Sequence, residues 1–347
     1  MRLSRYFTAR PYRHEYRRWA VLDRAGGPED AVVIAGSGRS GTTWVEELLN
    51  SDGSARILFE PFRSSEVPAL RSIGEYRYLR RDDERYVAEV ERLLSGYPRH
   101  NRWINHQNYA RIARWRIVKE IRAHGLLGWT RKHFPDTPMV FVMRHPVTVA
   151  ASQQRMGWRD RLSHFTSQPD LVDDHLAPHL DAIASLQTPW QRLIGQWCIE
   201  NVLALRTLGA SDTALVLYEE LVNDPTALDA VRAAIGRVAA EPTRQIDLTK
   251  PSKMARPDSA VRHGGDLLGA PFAAVASEQR RQALDICAAF GLDDIYGDDP
   301  LPNVAAVRRR WQTPPPLSGV STQTGSQQNR TIMLPDATTT ESTAPGH

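Results

Sequence analysis

From residue 31 onward the chain alternates short, continuously apolar runs with longer stretches of helical period. The runs are AVVIA (31–35), RILFE (56–60), RIVKEI (116–121), MVFVMR (139–144) and TALVLY (213–218). Strands apolar on both faces belong to sheets covered on both sides, so the pattern predicts an α/β fold with a central parallel sheet flanked by helices. Helices are predicted at TTWVEELLN after the first run, VTVAASQQR after the fourth and PWQRLIGQWCIENVLALRTLG (189–209) before the fifth. A last one, SEQRRQALDICAAFGL (277–292), ends on a Gly-Leu stop signal.

Two segments break the rhythm. Residues 61–115 and 157–189 are polar, rich in Arg, Asp, His and Trp, and too long for simple connections; they read as lids or acceptor-side insertions. Residues 1–29 form a basic arm in which arginines alternate with aromatics, a pattern that fits a helical cap or peripheral contact with an acidic membrane. Residues 312–347 are dense in Thr, Ser, Pro and Gly and are expected to be disordered, which leaves 30–311 as the functional domain.

Composition narrows the classes. With 347 residues, 41% apolar and 24% charged, the chain can bury a large core, which excludes disorder throughout. No run reaches the roughly 18 apolar residues of a membrane span, and arginines stand where a signal peptide would be apolar, so a soluble, cytoplasmic protein is expected. A net charge of +4 is too small to argue for a nucleic-acid partner, although 40 of the 44 cations are arginine. Cys198 and Cys287 lie 89 residues apart in helical patterns and suggest buried thiols, neither a disulfide framework nor a metal site.

The first strand runs directly into Gly36-Ser37-Gly38-Arg39-Ser40-Gly41-Thr42-Thr43 and then a helix. Glycines let successive backbone N–H groups converge on one anion while the helix N-terminus adds its dipole, so the loop reads as a phosphate cradle. It is nearly a nucleoside-triphosphate loop, yet Thr42 stands where the required lysine would be, and the cation has moved forward to Arg39. Ordinary ATP or GTP hydrolysis is therefore disfavoured. A second anion site is signalled by Phe141-Val142-Met143-Arg144-His145-Pro146, where a strand delivers Arg144 at its end, Pro146 suits the first turn of a helix, and Ser152 follows eight positions after Arg144. Ligands of open α/β sheets sit at the carboxyl ends of strands, so both features should face one crevice.

Arg39-Ser40-Gly41-Thr42-Thr43-Trp44 resembles the 5′-phosphosulfate loop of sulfotransferases that use 3′-phosphoadenosine 5′-phosphosulfate (PAPS). Arginine at position 39, where cytosolic members usually have lysine, is closer to the carbohydrate-type branch. The Arg144–Ser152 spacing is similar to the family's 3′-phosphate motif, and LVLYEELVNDP (215–225) resembles a later strand-helix element. The resemblance implies a P-loop nucleotide-hydrolase-like sulfotransferase fold. It also implies PAPS bound by Ser37, Gly38, Arg39, Ser40, Gly41, Thr42, Thr43, Arg144 and Ser152, no metal, and transfer to a hydroxyl of a carbohydrate or glycosylated metabolite. A closing loop of the family points to Lys253, Arg256 or Arg262 for the 3′-phosphate. Rivals are a kinase-like nucleotide phosphotransferase and a non-catalytic nucleotide- or glycan-binding protein.

For the chemistry, Arg39 is the candidate stabiliser of the leaving phosphate oxygen and Glu60, at the end of the second strand, the candidate base. Phe59, Pro61 and Phe62 around Glu60 suggest a raised carboxyl pKa. Glu60 also occupies the place of the base proposed in carbohydrate sulfotransferases. His106 is the rival base, and Lys119 and Arg122 are candidate contacts to the leaving group or acceptor. His175 and His179 have metal-like spacing, but Pro178 interrupts the helix that would align them. Trp103, Trp115, Trp158 and Trp190 suit either stacking on sugar rings or burial in the core.

Overall fold

The structure, a computed structural model, describes residues 21–108, 112–236 and 266–313. Five strands form one parallel sheet: β1 (Ala31–Gly36), β2 (Ala55–Phe59), β3 (Trp115–Glu120), β4 (Met139–Met143) and β5 (Ala214–Leu217). They lie side by side in the order β2-β3-β1-β4-β5, with Val33 opposite Val118 on one side and Gly36 opposite Val142 on the other. Each is one of the five apolar runs of the sequence. Every residue of β1 to β4 is buried, as continuous apolar runs require.

Among the described residues, the longer helices are α1 (Thr42–Leu49), α2 (Val87–Leu94), α3 (Leu127–His133), α4 (Pro146–Arg155), α5 (Pro189–Leu208), α6 (Tyr218–Asn223), α7 (Ala227–Ala234), α8 (Ser277–Ala289) and α9 (Val304–Gln312). Two hydrophobic clusters cover the sheet, and side chains alternate between them along each strand. Val33, Ala35, Leu58, Val118 and Phe141 face α5 and its neighbours, whereas Val32, Ile34, Ile57, Ile117 and Val142 face α1 and α7. The long helix α5 begins where Thr188 caps the Gln191 N–H and Gln191 reaches back to the cap, with Pro189 at its first position.

The two polar segments are not detached from this body. Val67, Leu70, Ile73, Leu93 and Leu94 from 61–115, and Phe165, Leu171 and Leu176 from 157–189, are buried in the larger cluster. At the amino end of the sheet, Asp23 accepts from Arg56 (3.0 Å, β2) and Arg116 (2.7 Å, β3), both guanidiniums being buried. Cys198 on α5 and Cys287 on α8 are buried free thiols whose sulfurs lie 3.8 Å apart, a proximity their sequence separation hides. Burial pushes the Cys198 thiol up. No helix among the described residues is long and apolar enough to cross a membrane. The basic arm through residue 20, the tail from 314, and Lys253, Arg256 and Arg262 lie outside the described residues.

Candidate active site at the carboxyl edge of the sheet

Because all five strands are parallel, their carboxyl ends share one edge. That edge carries the glycine loop after β1, Glu60 after β2, Glu120 and Arg122 around the end of β3, Arg144 after β4 and Tyr218 after β5.

The loop turns tightly, with the Ser40 N–H donating to the Ser37 carbonyl at 3.0 Å, Arg39 at φ 76° and Gly41 at φ 98°. Gly41 is required twice over, since its backbone is left-handed and a Cβ would lie 2.5 Å from the Tyr218 ring. Ser37, Ser40, Thr42 and Thr43 are buried. Asn201 of α5 donates to the Ser37 hydroxyl at 3.3 Å, whereas the buried Ser40 hydroxyl has no hydrogen-bond partner among the described residues. A buried polar atom left without a partner costs about 1–3 kcal/mol, so Ser40 fits a loop shaped to receive an anion.

The second motif folds onto the first. Pro146 opens α4, and His145 caps it by accepting from the Val147 N–H. The helix then brings Ser152 to Arg39, whose Nε donates to the Ser152 Oγ at 3.0 Å, and Gln153 to the loop, where its Nε2 donates to the Gly38 carbonyl at 2.8 Å. Arg144 donates to the Arg39 carbonyl (3.4 Å) and stacks over Tyr218 at 4.0 Å from the ring centroid. Its own carbonyl accepts from Trp197 of α5. Burial and the nearby charges of Arg144 and Arg155 lower the Arg39 guanidinium below its ordinary value. Positive groups gathered this closely form a field suited to a polyanion.

Glu60 sits at φ 42°, its backbone N–H donating to the Lys119 carbonyl at 2.7 Å. Its carboxylate is gripped from both sides, by Lys119 Nζ on Oε1 (2.6 Å) and Arg122 Nη1 on Oε2 (2.7 Å). The raised pKa suggested by its apolar neighbours is therefore corrected. Burial does push the carboxyl up, but the charges and hydrogen bonds of Lys119 and Arg122 outweigh it and hold the group below its ordinary value. Lys119 and Arg122, expected as contacts to the leaving group or acceptor, are ion-paired with Glu60. His106, the rival base, has its Nδ1 on the Trp103 carbonyl and its ring edge-on to Phe59 at 4.5 Å.

Sequence reasoning missed the residue that builds this corner. Glu120 is wholly buried and accepts from the N–H groups of Phe62, Ile121 and Arg122 at 2.8–2.9 Å, tying the chain after β2 to the chain after β3. The available signal was a carboxylate beside Lys119 at a strand end, which reads as surface charge until the strands are paired. Tyr218 and Gln153 were also missed, because their partners are distant in sequence. His175 and His179 serve separate contacts, with the Tyr78 hydroxyl and the Ala289 carbonyl. Among the described residues no cluster of three or more His, Cys, Asp or Glu could hold a metal ion.

Comparison with known proteins follows the geometry. A profile described as "Sulfotransferase family" matches residues 31–232. A search of curated proteins found no match. Solved structures similar to the chain include the sulfotransferase domain of the Synechococcus PCC 7002 olefin synthase (14% identity, 75% of this chain and 94% of that one, TM-score 0.36). Others are a sulfotransferase from Alicyclobacillus acidocaldarius (16%, 80% and 98%, TM-score 0.35) and retinol dehydratase in complex with retinol and PAP (15%, 81% and 86%, TM-score 0.39). The family match spans the loop, the Glu60 corner, the Arg144 motif and the strand that delivers Tyr218, and the chain belongs to the sulfotransferase family.

Proposed function

We propose that residues 30–311 transfer the sulfuryl group of PAPS to a hydroxyl of a carbohydrate or glycosylated metabolite. The observation that carries this reading is the 3.0 Å bond from Arg39 to Ser152, which ties the phosphate cradle to the Arg144 helix. A donor with phosphates at both ends of a nucleoside fits two linked anion sites. The loop N–H groups, Ser40, Thr42 and Thr43 hold the phosphate of the phosphosulfate, and Arg144 with Ser152 holds the 3′-phosphate. The arginine-bearing loop and the Glu60-Pro61 segment support the carbohydrate class of acceptor through their resemblance to that branch.

In this reading PAPS supplies the activated sulfuryl group and the protein supplies position, a proton sink and positive charge. Glu60 accepts the proton of the acceptor hydroxyl as the new oxygen–sulfur bond forms. Arg39 stabilises charge on the phosphate oxygen as its bond to sulfur breaks. Lys119 and Arg122 keep Glu60 ionised at neutral pH and fix both carboxylate oxygens, at the expense of basicity. Proton transfer then occurs late, as the hydroxyl oxygen loses electron density to sulfur.

The test is binding of adenosine 3′,5′-bisphosphate against 5′-AMP and ATP with magnesium. Charge-assisted bonds of about 1.5–3 kcal/mol each predict at least about tenfold tighter binding of the bisphosphate than of AMP. Equal affinity for the bisphosphate and AMP, or preference for magnesium-ATP, contradicts the reading.

A further inference from the structure

The four tryptophans of the polar segments separate sharply in the fold. Trp115 and Trp190 are 7% and 4% exposed, with their indole N–H groups donating to Ser54 and to the Gln279 carbonyl. Trp103 is partly buried and donates to the Glu60 carbonyl at 3.2 Å. Trp158 is different: it is 38% exposed and lies on the glycine loop. A Cβ at Gly38 would stand 2.4 Å from Cζ3 of its indole and 3.3 Å from Cδ1 of Ile121.

The chain builds this placement deliberately. Helix α4 ends with the Gly157 N–H on the Gln154 carbonyl (2.9 Å) and the Trp158 N–H on the Gln153 carbonyl (3.0 Å), with Gly157 at φ 68°. This pair of bonds is a Schellman cap, which reverses the chain through a left-handed glycine. Usually the residue after that glycine packs back on its own helix. Here it crosses to the loop to which Ser152 and Gln153 already bind. Gly38 adjoins Arg39, and Ile121 adjoins the Glu120–Arg122 corner that grips Glu60. The exposed indole therefore stands on the glycine loop at Gly38, near Ile121 of the corner that grips Glu60.

We propose that Trp158 is the acceptor platform, an indole face on which the ring carrying the reactive hydroxyl stacks as the hydroxyl meets Glu60. This rests on the sulfuryl-transfer reading above and names what that reading leaves open: the acceptor presents a flat ring face next to its hydroxyl. A pyranose with axial C–H groups and a phenol share that chemistry. Glycine at position 38 is explained by the same contact, since any side chain there would displace the indole.

The full-length protein, saturated with adenosine 3′,5′-bisphosphate, is titrated calorimetrically with methyl β-galactopyranoside, p-nitrophenol and hexanol. Stacking on the indole should make at least one ring compound bind about 2- to 10-fold tighter than hexanol. Trp158→Ala should lose that several-fold preference for the ring compound, Trp158→Phe should retain most of it, and bisphosphate affinity should be the same in all three proteins. The ring compound that responds tells which kind of ring the platform takes. Ring binding unchanged in Trp158→Ala, bisphosphate affinity lost in parallel, or no preference for rings over hexanol overturns the proposal. Failure of wild-type protein to bind the bisphosphate overturns the sulfuryl-transfer reading instead, and the same titrations on the unliganded protein then decide whether Trp158 holds a ring.

Discussion

Arg39 and Glu60 hold left-handed backbone angles, φ 76° and 42°, that side chains with a Cβ adopt at a cost of about 1–3 kcal/mol. Tyr76, whose backbone N–H donates to the Arg122 carbonyl, is a third such residue beside the same corner. Strain gathered at the two residues assigned to charge stabilisation and proton removal indicates that position there outweighs local comfort. Glu60→Gln therefore has two expected consequences. If Glu60 takes the acceptor proton as proposed, turnover should fall by about 100-fold or more while bisphosphate affinity is kept, because the cradle is intact. Stability should also fall, because Lys119 loses its carboxylate partner, but by less than the about 3–5 kcal/mol of a fully broken buried pair, since Arg122 keeps Glu75 and Glu120. Full activity in this variant would move the base role elsewhere, His106 being next. The lowered Glu60 pKa also fixes the sign of the pH effect. A depressed carboxyl is ionised above its folded value, and its contributions to stability and to rate are lost only as pH falls through that value, below 4.5. The turnover–pH profile should thus show no acid limb from Glu60 between pH 6 and 7; a limb there would mean a different base.

Strand pairing converts these separate residues into a site. Lys119 lies opposite Ile34 on one side and Phe59 on the other, so β3 carries it between the glycine loop and Glu60. That placement depends on β3 lying between β2 and β1, which no local pattern encodes. Tension between charge and burial recurs at the opposite end of the same strands, where Asp23 neutralises Arg56 and Arg116. Arg56 also donates to the carbonyls of Gly96 and Pro98, so this node joins β2 and β3 to the segment after α2. Asp23→Asn should cost about 3–5 kcal/mol by leaving two buried guanidiniums without their carboxylate, read as a lower midpoint in chemical denaturation. Bisphosphate affinity in the folded fraction should be unchanged, since the node lies at the far end of the strands. An unshifted midpoint would show that the backbone carbonyls alone satisfy Arg56. Strands and helices were legible in the sequence because their signals are local: five apolar runs, Pro146 and Pro189 at helix starts, and Gly291 at the stop of α8. The glycine loop and the Arg144–Ser152 spacing were legible for the same reason. What escaped was pairwise and distant, namely the grip of Lys119 and Arg122 on Glu60, the threefold acceptance by Glu120, and the meeting of Cys198 with Cys287.

Across the molecule, the net charge of +4 hides an uneven distribution. Among the described residues, many arginines away from the glycine loop are paired with carboxylates, as in Arg80 with Asp174, Arg192 with Asp160 and Arg310 with Asp294. At the glycine loop Arg144 donates to the Arg39 carbonyl and Arg39 to Ser152, and the like charges of Arg144 and Arg155 help to lower the Arg39 guanidinium. The parallel sheet makes this concentration possible, because it gathers five strand ends at one edge and leaves the amino ends to structural pairs such as Asp23 with Arg56. The segments 61–115 and 157–189, packed into the core, frame that edge with the Glu75–Arg122 contact and Trp158. The most direct measurement follows sulfur-labelled PAPS incubated with the protein and ring-bearing alcohols, with sulfated product and adenosine 3′,5′-bisphosphate quantified together. The account predicts one sulfated hydroxyl for each bisphosphate released, without added metal, and loss of both products in Glu60→Gln. Release of label only as free sulfate, or transfer that requires magnesium-ATP in place of PAPS, would contradict it.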